Sequence, residues 1–158
     1  MRILYTPIMQ VTACSILLSA CVSQPSGFNK YVPGLGEIMG QISTRHTKLW
    51  YAGAAQNWEL AAYEIKELKE GFEEAGKLHP TLEHIIQRLP VLFAGNVQKP
   101  LEHLEQAVKE RNLAQFTQNY EVLTKACNTC HRATEFGFNK IKRPTFNPYS
   151  NQIFETEN

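Results

Sequence analysis

The stretch "KACNTCHRAT", residues 125–134, holds Cys127 and Cys130 three positions apart, with His131 directly after them. Side chains of these types at this spacing can do three kinds of chemistry. A dithiol pair exchanges disulfides, and it works best at a helix N-terminus, where the dipole stabilises a thiolate. A structural zinc ion takes four protein ligands. Cys127, Cys130 and His131 supply three, no second cysteine pair follows, and adjacent Cys130 and His131 sit awkwardly on one tetrahedral ion. Covalent haem uses all three residues. Each thiol adds to one vinyl group of the porphyrin, and the histidine beside the second thioether is held next to the iron as proximal ligand. One covalent haem c, bound at Cys127, Cys130 and His131, accounts for every side chain of the motif that carries chemistry.

The cysteine count agrees. Of four cysteines, the other two, Cys14 and Cys21, fall in the N-terminal stretch. Arg2 gives a short positive start, and Ile3 to Ala20 is mostly apolar but interrupted by Pro7 and Gln10. That pattern reads as a secretory signal rather than a spanning helix. It ends in Leu18-Ser19-Ala20-Cys21, which resembles a bacterial lipobox. The resemblance implies lipid on the Cys21 thiol, a mature N-terminus there, and attachment to a membrane surface without spanning it. Val11-Thr12-Ala13-Cys14 fits the pattern loosely, with too little apolar sequence before it; an ordinary signal peptide with an incidental cysteine is the plainer alternative. Removal of Cys14 and lipidation of Cys21 leave no thiol for a further disulfide or a four-cysteine metal site. Export suits covalent haem, which is attached outside the cytoplasm. Val22 is not the aspartate that marks inner-membrane retention in some enteric bacteria. The expected location is therefore lipid-anchored and facing the periplasm, with the outer membrane favoured.

The elements that must position the motif are helical. The chain has 158 residues, enough for one domain, with 43% hydrophobic and 20% charged residues, an ordinary globular balance. Lys plus Arg number 16 against 15 Asp plus Glu, and this near-neutrality argues against nucleic acid as a partner. Residues 22–33, "VSQPSGFNKYVP", read as a tether of roughly 20 Å reach. From Leu35 to about Ala55, Met39, Ile42, His46, Leu49, Trp50 and Gly53 recur at helical spacing. Asn57 is a candidate N-cap for a second helix with the stripe Ala61, Ile65, Leu68, Phe72 and Ala75. Glu59, Glu64, Lys66, Glu67 and Lys69 fall mostly off that stripe, and Gly76, His79 and Pro80 stop it. Thr81 to Leu89 reads as a short helical turn or connector, closed by Pro90. A third helix starts near Pro100 and buries Leu101, Leu104 and Val108. Asn112 separates it from a fourth, which carries Leu113, Phe116, Tyr120, Leu123 and Cys127. Cys127, Cys130 and His131 continue that stripe and face the interior. Pro144 and Pro148 forbid a helix through "KIKRPTFNPYSNQIFETEN". The expected fold is all-α, an up-and-down four-helix bundle with an extended C-terminal tail. Its expected parts are a lipoprotein signal peptide over 1–20, a lipid-anchored tether over 21–33, the haem domain over 34–136 and the tail over 137–158.

"CNTCH" on the last helix of such a bundle resembles the class II c-type cytochromes, the cytochrome c′ group. The resemblance covers Leu35 to Phe136, and the haem motif is its specific part. It implies a haem inside the bundle against the C-terminal helix, with the first helix over its distal face. "EIMGQI", residues 37–42, resembles the segment that supplies the distal residue, which makes Met39 the residue above the iron. "RHTKLWYAGAAQNWELAAYEIKELKEGFEE" and "RPTFNPYSNQIF" are similar to small bacterial proteins described only as cytochrome c family. Class II chains end soon after the motif, whereas this one continues from Arg132 to Asn158, a tail that could cover the haem edge or dock a partner.

The sixth iron position decides the function: filled, the iron carries electrons; open, it binds small gases. Met39 is the first candidate ligand. His46 is the alternative; two helical turns separate the two, roughly 10 Å, so both cannot bind one iron. A five-coordinate iron under a lid of Ile38, Met39 and Ile42 is the third option. His79, His84 and His103 are expected in solvent. Trp50 and Trp58 are expected in the core, and "ELKEGFEE" on an exposed helix face. Arg45, Lys140, Lys142 and Arg143 could pair with haem propionates or face an acidic partner. The expected function is one-electron transfer at the membrane surface with a redox partner protein, membrane contact through the anchor, and a homodimer as a compatible assembly. The alternatives are a five-coordinate haem that binds or senses nitric oxide or carbon monoxide, and, less favoured, a small haem peroxidase. The latter lacks a distal His–Arg pair, because Arg45 and His46 point about 100° apart on a helix.

Overall fold

Two short turns organise the chain, and both are built the same way. α1 (Leu35–Ala54) passes to α2 (Trp58–Leu78) through Gln56, whose φ is 55°, and Asn57, whose side chain accepts from Leu60 N–H at 3.1 Å. α4 (Gln98–Lys109) passes to α5 (Leu113–Ala133) through Arg111, φ 52°, and Asn112, which accepts from Gln115 N–H at 3.1 Å. In each, the asparagine N–H reaches back five residues, to Ala52 O or Ala107 O, at 2.9 Å. That is the bond of a Schellman C-cap, followed at once by an asparagine N-cap for the next helix. Two antiparallel helical hairpins result. They pack α1 on α2, α2 on α4, α4 on α5 and α5 on α1, the cycle of an up-and-down bundle.

This computed structural model describes residues 31–156; the expected signal peptide, Cys21 and most of the tether lie outside the described residues. The described residues from Val32 onward form one compact unit. Its described residues are all-helical with no named strand, and no helix among them is long and apolar enough to cross a membrane.

The fifth helix is an addition. α3 (Leu89–Asn96) precedes α4 with only Val97 between them, and it packs on α2, α4 and α5. Pro90 opens this helix at its first turn instead of closing the connector, because its missing N–H is not needed there. The connector before it is a loop with one isolated bridge, Leu82 to Ile85, rather than a helical turn. Gly76 does not stop α2 either; it lies inside the helix, against Pro90. α4 has 12 residues where α1, α2 and α5 have 20 or 21, so α3 stands in for about 13 Å of missing helix at one end of the bundle.

The interior divides into two halves. At the turn end, Trp50, Trp58, Phe116 and Tyr120 form an aromatic core, with Phe116 and Tyr120 fully buried. Gly53 lets α1 approach there; a Cβ in its place would overlap the Phe116 ring. At the α3 end lies the cavity described below. Glu64 departs from the expected exposed stripe: it is 1% exposed and paired with Arg45 of α1 at 3.3 Å, while Arg45 also reaches Glu67 at 2.9 Å. Burial raises the Glu64 pKa, and the Arg45 charge opposes that rise.

The tail is extended, and it packs. Arg143 lies over the Trp50 ring at 4.8 Å and pairs with Glu121 at 3.1 Å. Farther on, Phe154 is buried, with its ring 5.5 Å from Tyr51 and 6.3 Å from Tyr149. The tail thus runs back along α5 and crosses onto α1.

Candidate haem-attachment site

A cavity of about 420 Å³ opens at the α3 end of the bundle. Leu35, Gly36, Met39, Gly40, Ile42, Ser43 and His46 line it from α1, and Cys127, Cys130 and His131 from α5. Phe72, Leu89 and Phe93 add an apolar wall from α2 and α3, and Phe136, Asn139 and Ile141 of the tail complete it. Its size and mostly apolar lining are those of a small-molecule or cofactor site. The spacing that put the motif on the interior face of α5 and Met39 on the interior face of α1 thus brings them to one cavity.

The two thiols are free, Cys130 buried and Cys127 half-buried. Loss of water raises both pKa values, and that of Cys127 is pushed up to about 12, with the neighbouring Cys130 adding to the rise. This is the reverse of a reactive dithiol, whose thiolate must be stabilised. Among the described residues no three His, Cys, Asp or Glu side chains are grouped to hold a metal ion. Cys127, Cys130 and His131 therefore do not converge on one point, as a zinc site would require. Haem has no such requirement: the thiols meet the ring edge, and the histidine alone meets the iron.

His131 is oriented for that role. Its Nδ1 lies 2.6 Å from the backbone carbonyl of Asn139, so Nδ1–H donates to that oxygen and Nε2 carries the free lone pair. A histidine ligand held through its other nitrogen is the usual arrangement at metal centres. The acceptor comes from the tail. Asn128, inside the motif, binds the tail at Ile141: its Oδ1 accepts from Ile141 N–H and its Nδ2 donates to Ile141 O, each at 2.7 Å.

The α1 wall fits a flat ring. Gly36 and Gly40 are one helical turn apart beside Met39, and a Cβ at either would meet nothing within 4 Å. A helix interior gives up about 1 kcal/mol for each such glycine, and what it gains here is a smooth open surface.

His46 lines the same cavity but is engaged on both nitrogens. Its Nε2 is 2.9 Å from Thr124 Oγ1, and its Nδ1 is 3.0 Å from Tyr120 Oη. The Thr124 hydroxyl spends its proton on Tyr120 O at 2.9 Å, so Nε2 is the donor, and Nδ1 carries the lone pair and shares the single Tyr120 hydroxyl proton with His46 O, each at 3.0 Å. Burial lowers its pKa to about 4, so the ring is neutral. To ligate iron it would have to leave this network.

The expected cations separate. Arg45 is committed to Glu64 and Glu67, and Arg143 to Glu121 and Trp50. Lys140 and Lys142 join Lys125 and Arg132 around an open groove of about 720 Å³ on the outer side of the motif. His79 is not simply in solvent; its Nε2 meets Pro33 O at 2.8 Å, while His84 and His103 are exposed.

Sequence reasoning did not find the Asn139 carbonyl, the Asn128 clamp or the α3 wall. Gly36 and Gly40, four apart inside a helical pattern, were the one readable sign of an open surface. No family model matches the chain, and neither does any curated protein or solved structure.

Proposed function

We propose that the chain is a monohaem c-type cytochrome, similar to the cytochrome c′ group, that carries one electron at a membrane surface. The observation that carries this reading is His131: one nitrogen is tied to Asn139 O and the other is free, beside two protonated thiols, on the wall of an apolar cavity. A bound haem supplies a one-electron iron couple. Cys127 and Cys130 hold it by thioether bonds, and His131 gives the proximal nitrogen. Phe72, Leu89, Phe93 and Ile42 exclude water from it. Met39 supplies the sixth ligand in this reading, since His46 is held by Tyr120 and Thr124. The basic groove around Lys125, Arg132, Lys140 and Lys142 gives an acidic redox partner a place to approach the motif. Lipid on Cys21 would keep the domain at the periplasmic face of a membrane. The open space over Gly36 and Gly40 favours a second reading, in which the sixth position is vacant and takes nitric oxide or carbon monoxide.

The test is to produce the full chain in a host that matures c-type haem and record oxidised, reduced and carbon monoxide-treated spectra. Haem that survives denaturation in the wild type and is lost in a Cys127→Ala, Cys130→Ala double variant is the expected result. A low-spin spectrum indifferent to carbon monoxide, turned high-spin by Met39→Ala, supports electron transfer. A high-spin spectrum that shifts with carbon monoxide moves the function to gas binding. A wild-type chain without covalent haem sinks both.

A further inference from the structure

We infer that Asn128, the residue between the motif's first cysteine and Thr129, is a positioning residue for the axial histidine and acts through the C-terminal tail; this rests on the haem reading above. Its side chain makes two 2.7 Å bonds to one tail residue, accepting from Ile141 N–H and donating to Ile141 O, and a third, at 3.0 Å, to Thr124 O on its own helix. A carboxamide alone among short side chains offers a donor and an acceptor side by side. Aspartate lacks the donor, and alanine lacks both.

The clamp fixes the acceptor of the His131 hydrogen bond. Asn139, whose carbonyl accepts from His131 Nδ1–H at 2.6 Å, stands at a bend two residues before Ile141. Two residues reach at most about 7 Å, so a fixed Ile141 leaves Asn139 little freedom. The loop is tied at its other end as well. Phe136 N–H donates to His131 O at 2.7 Å, and Asn139 N–H donates to Phe136 O at 2.9 Å. The carbonyl that orients the ring is therefore held by a loop closed on one side by the end of α5 and on the other by Asn128. A backbone acceptor on Nδ1–H makes imidazole a stronger electron donor through Nε2 and favours ferric iron. Loss of the clamp lets Asn139 move away, weakens that donation and raises the reduction potential.

The experiment compares the haem-loaded full chain with Asn128→Ala, Asn128→Asp and, as a neighbouring control, Thr129→Ala. Two quantities are read: the midpoint potential, and the rate of trypsin cleavage after Lys140 and Lys142. Asn128→Ala is expected to raise the potential and speed cleavage about tenfold or more, since two hydrogen bonds that close the tail are gone. Asn128→Asp keeps the acceptor alone and is expected to speed cleavage by less, while its added negative charge opposes the rise in potential. Thr129→Ala is expected to move neither. Faster cleavage with an unchanged potential would overturn the inference, because the tail would then be clamped without acting on His131. Unchanged cleavage would overturn it at the clamp itself. A wild-type chain lacking covalent haem would instead defeat the haem reading, and with it the role toward iron. Should Asn128→Ala fail to accumulate, Asn128→Ser makes the same comparison with a neutral side chain too short to reach both Ile141 groups.

Discussion

At the scale of the residue, His46 shows how a side chain with two chemical options is committed to one. It is 4% exposed and stacked on Tyr120 at 4.5 Å between ring centroids, and each nitrogen has a hydroxyl partner. The folded protein holds it neutral, with a pKa of about 4 against an ordinary 6.5. An unfolded chain therefore binds more protons than the folded one between those values, so stability rises with pH across the window. The contribution is fully present above about pH 6.5 and is lost as pH falls toward 4. Urea unfolding at pH 7 and pH 4.5 should differ by roughly 2–3 kcal/mol from this group alone. Glu64, whose pKa is raised, contributes with the opposite sign at the acid end, so the useful quantity is the difference from His46→Gln. That variant should lose stability at pH 7 and show a flatter pH dependence. An equally steep dependence in His46→Gln would assign the acid lability elsewhere. His46 and Met39 looked alike in the sequence, two turns apart on one face. What separates them is Tyr120 and Thr124, more than seventy residues away, and no local pattern carries that.

At the scale of the element, two glycines of α1 mark opposite uses of a missing side chain. Gly53 lies at the closest approach to α5, where a Cβ would enter the Phe116 ring. Gly40 lies on the cavity wall, where a Cβ would meet nothing. Gly53→Ala should therefore lower stability by about 1–3 kcal/mol through overpacking. Gly40→Ala in the haem-free chain should raise it by up to about 1 kcal/mol through helix propensity. Thermal melts of the two variants, shifted in opposite directions, would bear this out; a loss in Gly40→Ala would mean the wall is not open. The sequence made such elements legible where period and capping spoke together: α1, α2 and α5 begin and end within a residue or two of where their stripes and the Asn57 and Asn112 caps put them. It failed at α3, because eight residues that are apolar all round have no period, and Pro90 reads equally well as a stop and a start. Glu64 was misplaced for the same kind of reason. Its charge suggested solvent, and its partner Arg45 lies on another helix.

At the scale of the whole molecule, the bundle and the tail depend on each other. α4 is too short to fill the α3 end, and the space it leaves becomes a cavity whose floor is helical and whose rim is partly tail, through Phe136, Asn139 and Ile141. The sequence suggested only that the tail could cover the haem edge; the contacts that fasten it were not visible, because the tail has neither period nor caps and only its prolines speak. The tail is fastened in series: Asn139 to His131, Ile141 to Asn128, Arg143 to Glu121 and Trp50, and Phe154 against Tyr51. The last fastening is the most buried, with Phe154 3% exposed. If the tail unfolds together with the bundle, Phe154→Ala should cost roughly 3 kcal/mol in global stability and keep a single unfolding transition. If it detaches first, the same variant should leave the global midpoint unchanged and speed only the exchange of tail amides such as that of Ile141. The series of contacts onto both α1 and α5 argues for the first outcome. Urea unfolding followed by helix signal and by the extent of brief trypsin cleavage after Lys140 tests it, because the cleavage reports the tail while the helix signal reports the bundle. Coincident curves, shifted together by Phe154→Ala, would make the tail part of the cooperative fold, and therefore able to hold the His131 ring for as long as the bundle itself stays folded.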